Sequence, residues 1–362
     1  MKFSFTLMMF VLLCSTGFSM VQKFSSTLPE KSQFDSPQAL AERVKFWTKI
    51  YAYYTTTQGV FHLVDDPAFI LGEIDLTPIT SSSILNAREK RVQSEKAIRE
   101  RRAELISKWK IVDNKKVRLQ MGLRDRMQQA FFLSGRYLPM MEMIFKKQGL
   151  PVELTRIVFV ESSFNVNAQS KVGASGLWQL MPSVAKPYGY IQNNYDQRNH
   201  PFYSTELAAQ ILKNNYKGLG SWPLAITAYN HGLTGVRRMV HRNGSKKIEN
   251  LVESENVTSS WGFASKNFYA CFLAVLEVER NAVSLFGNNL LTSKKLQIKE
   301  YKLNRTLPKS KILTWYNNSM AQFRLMNPHL NWQRIKKIKL IPAGVPLIVP
   351  TENYHLVAQD RS

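Results

Sequence analysis

The sequence has 362 residues, of which 44% are hydrophobic and 21% are charged. At about 150 residues per domain this length predicts about two domains with a sizeable core, which excludes a small disulfide-stapled scaffold and a disordered chain. The two cysteines exclude a disulfide framework and a Cys-rich zinc site. The 49 Lys and Arg residues against 26 Asp and Glu residues give a net charge of +23, which predicts a polyanionic neighbour: nucleic acid, an anionic membrane surface or an acidic polymer.

The first residues have the pattern of a secretory signal peptide. Lys2 precedes the apolar run from Leu7 to Leu13, and small and polar residues follow. We therefore predict a signal peptide over residues 1–19 and export to the periplasm or cell envelope, where a nucleic-acid partner is not expected. Cys14 raises the alternative of lipidation, which is weakly supported because a leucine precedes it where lipoproteins usually have a small residue.

The region over residues 20–148 is predicted to be helical. We expect a polar linker, an aromatic helix, an irregular segment, a highly charged helix and one or two further helices, in the order 20–36, 38–55, 56–84, 85–110 and 117–148. The charged helix is typical of a solvated helix face, and contact with an anionic envelope surface is the alternative.

Residues 149–290 contain few segments that alternate with period two, which predicts an all-α domain. The expected helices are 151–162, 176–187, 204–216, 221–229, 232–241 and 262–284. After about residue 295 the composition becomes basic and β-prone, then short helices and a strand broken by Pro and Gly follow. The sequence thus predicts a mainly α protein with a small α+β module over residues 295–362.

Glu161 is the residue that points most directly to chemistry. It ends the segment from Leu150, in which the helix is apolar nearly all round and should therefore be buried. Desolvation disfavours the charged carboxylate, and the negative end of the helix dipole does so too. A carboxyl group that stays protonated in a cleft can protonate a leaving oxygen, as glycosidases require. The alternative is a scaffold glutamate paired with a basic residue.

Polar and aromatic side chains follow in two further segments. Residues 177–182 read Leu-Trp-Gln-Leu-Met-Pro, and residues 228–232 read Ala-Tyr-Asn-His-Gly. Tyr and Asn side chains suit hydrogen bonding to a sugar, and Trp and Met suit packing on its apolar faces. These segments therefore favour a saccharide cleft.

These blocks carry a family resemblance. The sequence reads ESSF from Glu161, A-x-S-x-x-GA-x-GLWQ-x-MP from Ala168 and AYN-x-G from Ala228. It resembles the soluble lytic transglycosylase domain, which is related in fold to goose-type lysozyme. The wider frame is similar to the membrane-bound type D subgroup, through the GRYLP segment, the aromatic segment FWTKIYAYYTTTQGV and the residues Asp196, Arg198, Pro201, Ser204, Ala208 and Ala209.

The resemblance implies a reaction on peptidoglycan. Glu161 would act as a single general acid and base on the β-1,4 bond between N-acetylmuramic acid (MurNAc) and N-acetylglucosamine (GlcNAc), leaving a 1,6-anhydro-MurNAc end. No Asp or Glu occurs from residue 162 to residue 195, so no second carboxylate is supplied locally. The alternatives are a lysozyme-like peptidoglycan hydrolase and a non-catalytic wall-binding protein, while a nucleic-acid binder rests on charge alone.

By position-to-position match, six residues would line the saccharide cleft: Ser170, Gln179, Met181, Tyr229, Asn230 and Tyr269. Ser170 as a helix cap, and Met181 and Tyr269 as core residues, are the alternatives. Asp196 is expected to brace a loop with Arg198. No metal site and no cofactor are expected; the expected partners are peptidoglycan glycan strands, and we expect a monomer.

The chain also departs from the family pattern. His231 stands where a small residue is usual, and Ser265 and Lys266 stand where Glu and Thr are usual. The C-terminal module resembles a degenerate LysM domain, through Leu325, Asn327, Pro328 and the closing run from Ile341 to Pro350. In this family such a domain binds GlcNAc polymers, although the opening Gly-Asp-Thr-Leu element is absent here.

Overall fold

The computed structural model describes residues 21–360; the predicted signal peptide and Cys14 lie outside these residues. The helices are α1 Ala41–Ala52, α2 Thr77–Thr80, α3 Ala87–Lys108, α4 Arg124–Lys147, α5 Ile157–Ser162, α6 Pro182–Ala185, α7 Pro201–Leu219, α8 Trp222–His231, α9 Leu233–Asn243, α10 Ile248–Glu253, α11 Phe263–Arg280, α12 Ala282–Phe286, α13 Lys309–Thr314, α14 Met320–Met326, α15 Trp332–Ile335 and α16 Tyr354–Gln359. The strands are β1 Val21–Lys23, β2 Gln58–Leu63, β3 Ile70–Asp75, β4 Val117–Met121, β5 Leu291–Ser293, β6 Ile298–Lys302, β7 Leu307–Pro308, β8 Leu340–Ile341 and β9 Pro346–Pro350. The predicted mainly α fold with a small α+β C-terminal module is confirmed.

A three-stranded sheet interrupts the N-terminal region that was predicted to be helical. The strands β2, β3 and β4 are antiparallel, with β2 in the middle. The prediction of an irregular segment over 56–84 is wrong, because β-branched and aromatic residues there pair in register: Phe61 faces Leu119. The charged helix α3 covers this sheet through Leu105, which packs with Phe61 in a small separate core.

The segment over residues 21–36 packs on the helical domain and is not the linker that its polarity predicts. The strand β1 pairs with β5, so the two ends of the region from residue 21 to residue 293 meet. Phe24 packs against Phe131 with ring centroids 4.7 Å apart. Phe34 is 5% exposed and contacts the ring of Phe272 edge-on. Polarity alone missed this segment because its packing depends on a few apolar residues, of which only Phe34 is fully buried.

The main core lies between the long helices. The helix α1 packs along α11, and α4, α7 and α8 complete the layer around them. The helix α11 is buried along nearly its whole length, including Phe272, Val275 and Leu276. This arrangement places the N-terminal helix α1 directly behind the segment that carries Glu161.

The C-terminal module has its own core, formed around Trp315, Tyr316 and Phe323. The strands β6 and β9 form one antiparallel pair, and β7 and β8 form another. The module contacts the helical domain at the loop before α7: the backbone N–H of Asp196 donates to the carbonyl oxygen of His329 at 2.7 Å. None of the helices within residues 21–360 is long and apolar enough to cross a membrane.

A substitution at Phe34 tests whether the segment over residues 21–36 contributes to the stability of the fold. We expect Phe34→Ala to lower the free energy of unfolding by about 3 kcal/mol, because it removes a buried aromatic ring and leaves a cavity. Chemical denaturation measures this, with Lys31→Ala, at an exposed position of the same segment, as the control. Equal stability of the two variants would contradict the packed arrangement.

Candidate active site

Glu161 lies in the last turn of the short helix α5. The preceding residues Val152–Arg156 form a 3-10 helix, so the single helix expected over 151–162 consists of two parts. The apolar residues Ile157, Val158 and Phe159 are buried, as the sequence pattern predicts. The Glu161 side chain itself is only partly covered, at the point where this buried segment meets the surface.

The chain turns sharply after Glu161. Ser163 and Phe164 both have positive φ values, of 49° and 58°, which L residues rarely adopt. Phe164 is nonetheless 1% exposed and packs against Phe159 with ring centroids 4.7 Å apart. This packing holds the strained turn, and α5 ends at Ser162, directly before it.

Burial raises the pKa of the Glu161 carboxyl group from its ordinary value near 4.5 to about 8. Desolvation is the cause, and no other carboxylate of the described residues contributes to it. Within residues 21–360 this carboxyl group has neither a hydrogen-bond partner nor a basic residue at ion-pair distance. Glu161 is therefore protonated at neutral pH and can give its proton to another group.

Three side chains from three helices surround the Glu161 carboxyl group closely enough to interact with it electrostatically. Tyr229 comes from α8, Cys271 from α11 and Tyr51 from α1. Tyr51 and Cys271 are both buried, and burial raises the pKa of each far above its ordinary value. All three neighbours are thus neutral and provide no charge that would stabilise an ionised Glu161.

The alternative in which Glu161 is a structural glutamate paired with a basic residue can be compared with a buried ion pair nearby. Arg156, one helical segment earlier, is fully buried and donates two hydrogen bonds to the Glu279 carboxylate, at 2.7 and 2.8 Å. It also donates to Glu142 at 2.5 Å and to the Thr27 hydroxyl at 2.7 Å. Burial alone would lower the pKa of Arg156, but these two carboxylates raise it above its ordinary value. The nearest basic residue on the chain is therefore committed elsewhere.

The loop between α5 and α6 carries three of the predicted cleft residues, Ser170, Gln179 and Met181. Arg198 holds this loop: it donates to the carbonyl oxygens of Gly173 and Leu180, at 2.6 and 3.0 Å, and pairs with both oxygens of Asp196. The expected brace between Asp196 and Arg198 is confirmed. Gly176 has a φ of 80°, and a Cβ atom there would lie 2.1 Å from the Arg198 carbonyl oxygen, so the loop requires glycine.

The helix predicted over 176–187 is mostly this loop, because only Pro182–Ala185 is α-helical. Gln179, with a φ of 46°, breaks the helical pattern. Its side-chain nitrogen donates to the carbonyl oxygens of Ala168 and Gly176. Within residues 21–360 no group donates to its side-chain oxygen, which leaves that oxygen free for a ligand.

Ser170 and Met181 flank Gln179 on the loop. The Ser170 hydroxyl accepts the backbone N–H of Ala174 at 2.8 Å, so it shapes the turn. Met181 is 37% exposed, which makes it a surface residue and not a core residue. Trp178 is fully buried and stacks on Phe145, so it supports the cleft wall and is not available to a sugar face.

Tyr229 and Asn230 lie in the last turn of α8, and Tyr229 is close to Glu161. The Tyr229 hydroxyl donates to the carbonyl oxygen of Trp178 at 2.8 Å, which ties α8 to the loop. Asn230 is exposed. Two of the three positions that depart from the family pattern meet here: the Nδ1 atom of His231 lies 2.9 Å from the Ser265 hydroxyl oxygen, and that hydroxyl also reaches Asn230.

Tyr269 occupies a different environment. It is 2% exposed, and its hydroxyl donates to the backbone carbonyl oxygen of Asp35 at 3.1 Å. Burial and the carboxylates of Asp35 and Glu249 raise its pKa, and Glu161 is not among the causes. The structure thus brings Tyr229 to Glu161, and it does not show such proximity for Tyr269, whose role in the cleft stays a prediction.

Sequence reasoning missed Tyr51 and Arg156. Tyr51 lies in a region assigned to a separate N-terminal extension, and its only signal was the aromatic run of α1. Arg156 is a charged residue in an apolar segment, which is a signal of a buried ion pair. Among the described residues no group of three or more His, Cys, Asp or Glu side chains could hold a metal ion.

Comparison with known proteins places similarity in this part of the chain. Residues 141–252 match the family model described as the transglycosylase SLT domain. Membrane-bound lytic murein transglycosylase D of Escherichia coli K12 is 36% identical over 103 residues, which is 28% of this chain and 23% of that protein. A putative tributyltin chloride resistance protein of Alteromonas is 40% identical over 98 residues, 26% of this chain and 47% of its own length.

Two further proteins share smaller or weaker similarity. The transglycosylase of Enterobacteria phage PRD1 is 40% identical over 76 residues, 21% of this chain and 27% of its own length. The crystal structure of the lytic transglycosylase Slt from Pseudomonas aeruginosa aligns with a TM-score of 0.33 and 23% identity, over 41% of this chain and 25% of that one. The chain thus spans less than half the length of each relative that it matches.

The raised pKa of Glu161 predicts a pH-dependent cost in stability. The native state keeps a proton up to about pH 8 that the unfolded chain releases near pH 4.5, so rising pH favours unfolding across this window. We expect Glu161→Gln to stabilise the protein by about 4 kcal/mol at pH 8 and to have almost no effect at pH 4.

Thermal or denaturant unfolding of both proteins between pH 4 and pH 8 measures this difference. Glu30→Gln makes the same chemical change at an exposed position and should show no such trend. A stability difference that does not vary with pH would mean that the Glu161 carboxyl group ionises normally.

The buried Arg156 network predicts a large loss of stability when the cation alone is removed. We expect Arg156→Met to lower the free energy of unfolding by about 3 kcal/mol, because the carboxylates of Glu142 and Glu279 are left without their partner. The triple variant with Glu142→Gln and Glu279→Gln should recover part of this loss.

Denaturant unfolding measures both effects, and Lys45→Met, in an exposed ion pair with Glu42, is the control for simple loss of a pair. A cost for Arg156→Met no larger than for the control would show that the network does not hold α5 in place.

Proposed function

We propose that this protein is a lytic transglycosylase that acts on peptidoglycan glycan strands, because residues 141–252 match the family model of the transglycosylase SLT domain. The single observation that carries the proposal is the Glu161 carboxyl group: it is protonated at neutral pH and lies close to Tyr229, whose hydroxyl binds the loop that carries Gln179. The predicted cleft residues Gln179, Tyr229 and Asn230 lie on this loop and on α8.

The proposed reaction uses Glu161 twice. Its proton goes to the oxygen that links MurNAc to GlcNAc, and the bond from that oxygen to the anomeric carbon of MurNAc breaks. The carboxylate then takes the proton of the MurNAc 6-hydroxyl as this oxygen bonds to the same anomeric carbon. The product is a 1,6-anhydro-MurNAc end, water is not consumed, and Glu161 regains its proton.

The absence of a second carboxylate favours this reaction over hydrolysis. A glycosidase with two carboxyl groups places the second one across the bond, within about 10 Å of the first. Among the described residues, the charge of no other carboxylate affects Glu161. Asp196 is bound to Arg198, and Glu206 lies near Tyr190 and Glu300 at the C-terminal module. The lysozyme-like hydrolase remains the competing candidate.

The surroundings of the catalytic domain support an envelope protein. We propose export to the periplasm or cell envelope, with the C-terminal module as a LysM-like glycan-binding unit and the protein as a monomer. The helix α3 is exposed, and its ion pairs, such as Arg91 with Glu95, neutralise only part of its positive charge. We therefore also propose that α3 contacts an anionic envelope surface.

Digestion of purified sacculi tests the proposed reaction. Mass spectrometry should find muropeptide ends that lack one water relative to hydrolytic ends, and kcat should fall about 10³-fold or more in Glu161→Gln, as expected for loss of a general acid and base. Activity of the native protein should decline as the pH rises above 8, because the acid then loses its proton.

Glu206→Gln is the matched control, because it removes a carboxylate of the same domain that does not contact Glu161. Reducing ends in place of anhydro ends would support the hydrolase. Loss of activity in Glu206→Gln equal to that in Glu161→Gln would contradict a single catalytic carboxylate.

A further inference from the structure

The exposed face of α9 carries a groove lined by basic side chains. Its lining residues are Thr234, Arg237, Arg238, His241, Arg242 and Thr258. The three arginines are exposed. Because residues three and four apart lie on the same side of a helix, the sequence of α9 places these side chains on one face.

The arginines of this groove have no acidic partner within residues 21–360. Arg242 donates to the carbonyl oxygen of Val257 at 3.0 Å, and neither it nor Arg237 nor Arg238 lies at ion-pair distance from a carboxylate. Like charges four residues apart, such as Arg238 and Arg242, destabilise a helix. The groove therefore keeps a concentration of positive charge that the fold itself does not use.

The helix that carries the groove directly follows the helix that carries two candidate cleft residues. The helix α8 carries Tyr229 beside Glu161 and ends at His231, and α9 starts two residues later, at Leu233. Arg238 is close enough to His231 to act on its charge, and His231 contacts Ser265, which reaches Asn230. Tyr229, beside Glu161, is thus followed in the chain by Asn230, which is linked through Ser265 and His231 to Arg238.

We propose that this groove binds the carboxylates of the peptide stem that MurNAc carries in peptidoglycan. The guanidinium group suits this ligand because its planar fork of N–H donors matches the two oxygens of a carboxylate. The inference rests on the proposed function, since a stem reaches the groove only when its glycan strand lies in the cleft. It adds to that function the part of the substrate that the saccharide residues do not recognise.

Two kinds of glycan strand separate stem binding from glycan binding. Strands that keep their peptide stems and strands from which an amidase has removed them are titrated against the Glu161→Gln protein, which does not turn them over. We expect the stem-bearing strands to bind more tightly, and the difference to shrink at high salt.

Arg237→Gln with Arg238→Gln in the same background should weaken binding of stem-bearing strands about tenfold, since two exposed ion pairs of ordinary strength correspond to that factor. Binding of stem-free strands should not change. Lys246→Gln with Lys247→Gln removes the same charge from exposed residues that do not line the groove, and it should leave both affinities unchanged.

Several outcomes would overturn the inference. Equal loss on both kinds of strand would mean that the groove binds sugar or supports the fold, and no loss on either would mean that it binds no stem. Loss of binding to vesicles with anionic lipid, with stem binding intact, would assign the groove to a membrane surface. Native protein that yields no anhydro ends would contradict the proposed function alone, because these binding measurements do not depend on turnover.

Discussion

The proposed chemistry depends on one unpaired carboxyl group, that of Glu161, which is desolvated and has no charged partner among the described residues. Most buried carboxylates in proteins have a basic partner, and this molecule provides one within the same segment: Arg156 binds Glu279 and Glu142. Glu161, five residues later, has only neutral neighbours. The difference between the two sites is the physical basis of the proposed chemistry, because a paired carboxylate keeps its charge and an unpaired buried one keeps its proton.

The remaining architecture keeps these two environments apart. Arg156 is anchored to α4, to α11 and to Thr27 of the first described segment, so the start of α5 is fixed from three sides. The buried turn at Phe164 fixes its end. The hydrogen bonds from Arg198 to Gly173 and Leu180 then fix the loop that carries Gln179. The charged networks of Arg156 and Arg198 thus stabilise the segments around the site, while the side chains next to Glu161 are neutral.

Much of the helical framework could be predicted from the sequence, since apolar periodicity marked α7, α8, α9 and α11 within a few residues. The motif blocks also pointed to Glu161 and Tyr229, which lie close together in the structure, while the cleft role of Gln179 stays a prediction. The failures have a common cause: they concern segments whose structure comes from distant partners. The strand β2 pairs with β4, which lies more than fifty residues later in the sequence. The segment around Phe34 is held by packing on α11, where Phe34 contacts Phe272.

The same limit applies to the site. Local sequence indicated that Glu161 ends a buried segment, but it could not show that Tyr51, from the N-terminal region, closes the site from behind. It also left open whether Tyr269 lines the cleft or packs in the core; in the structure this tyrosine is buried and its hydroxyl donates to the backbone carbonyl oxygen of Asp35. Motif spacing specifies which residues occur, whereas their contacts depend on how α1 and the first segment pack on the domain.

The most direct test is the titration of the Glu161 carboxyl group itself. Carbon-13 labelling of glutamate side chains, with Glu161→Gln used to assign the signal, reports its ionisation in the intact protein without any substrate. We predict that the Glu161 carboxyl group titrates with a midpoint near pH 8. A midpoint near the ordinary value of about 4.5 would show that the group is ionised at neutral pH and has no proton to give.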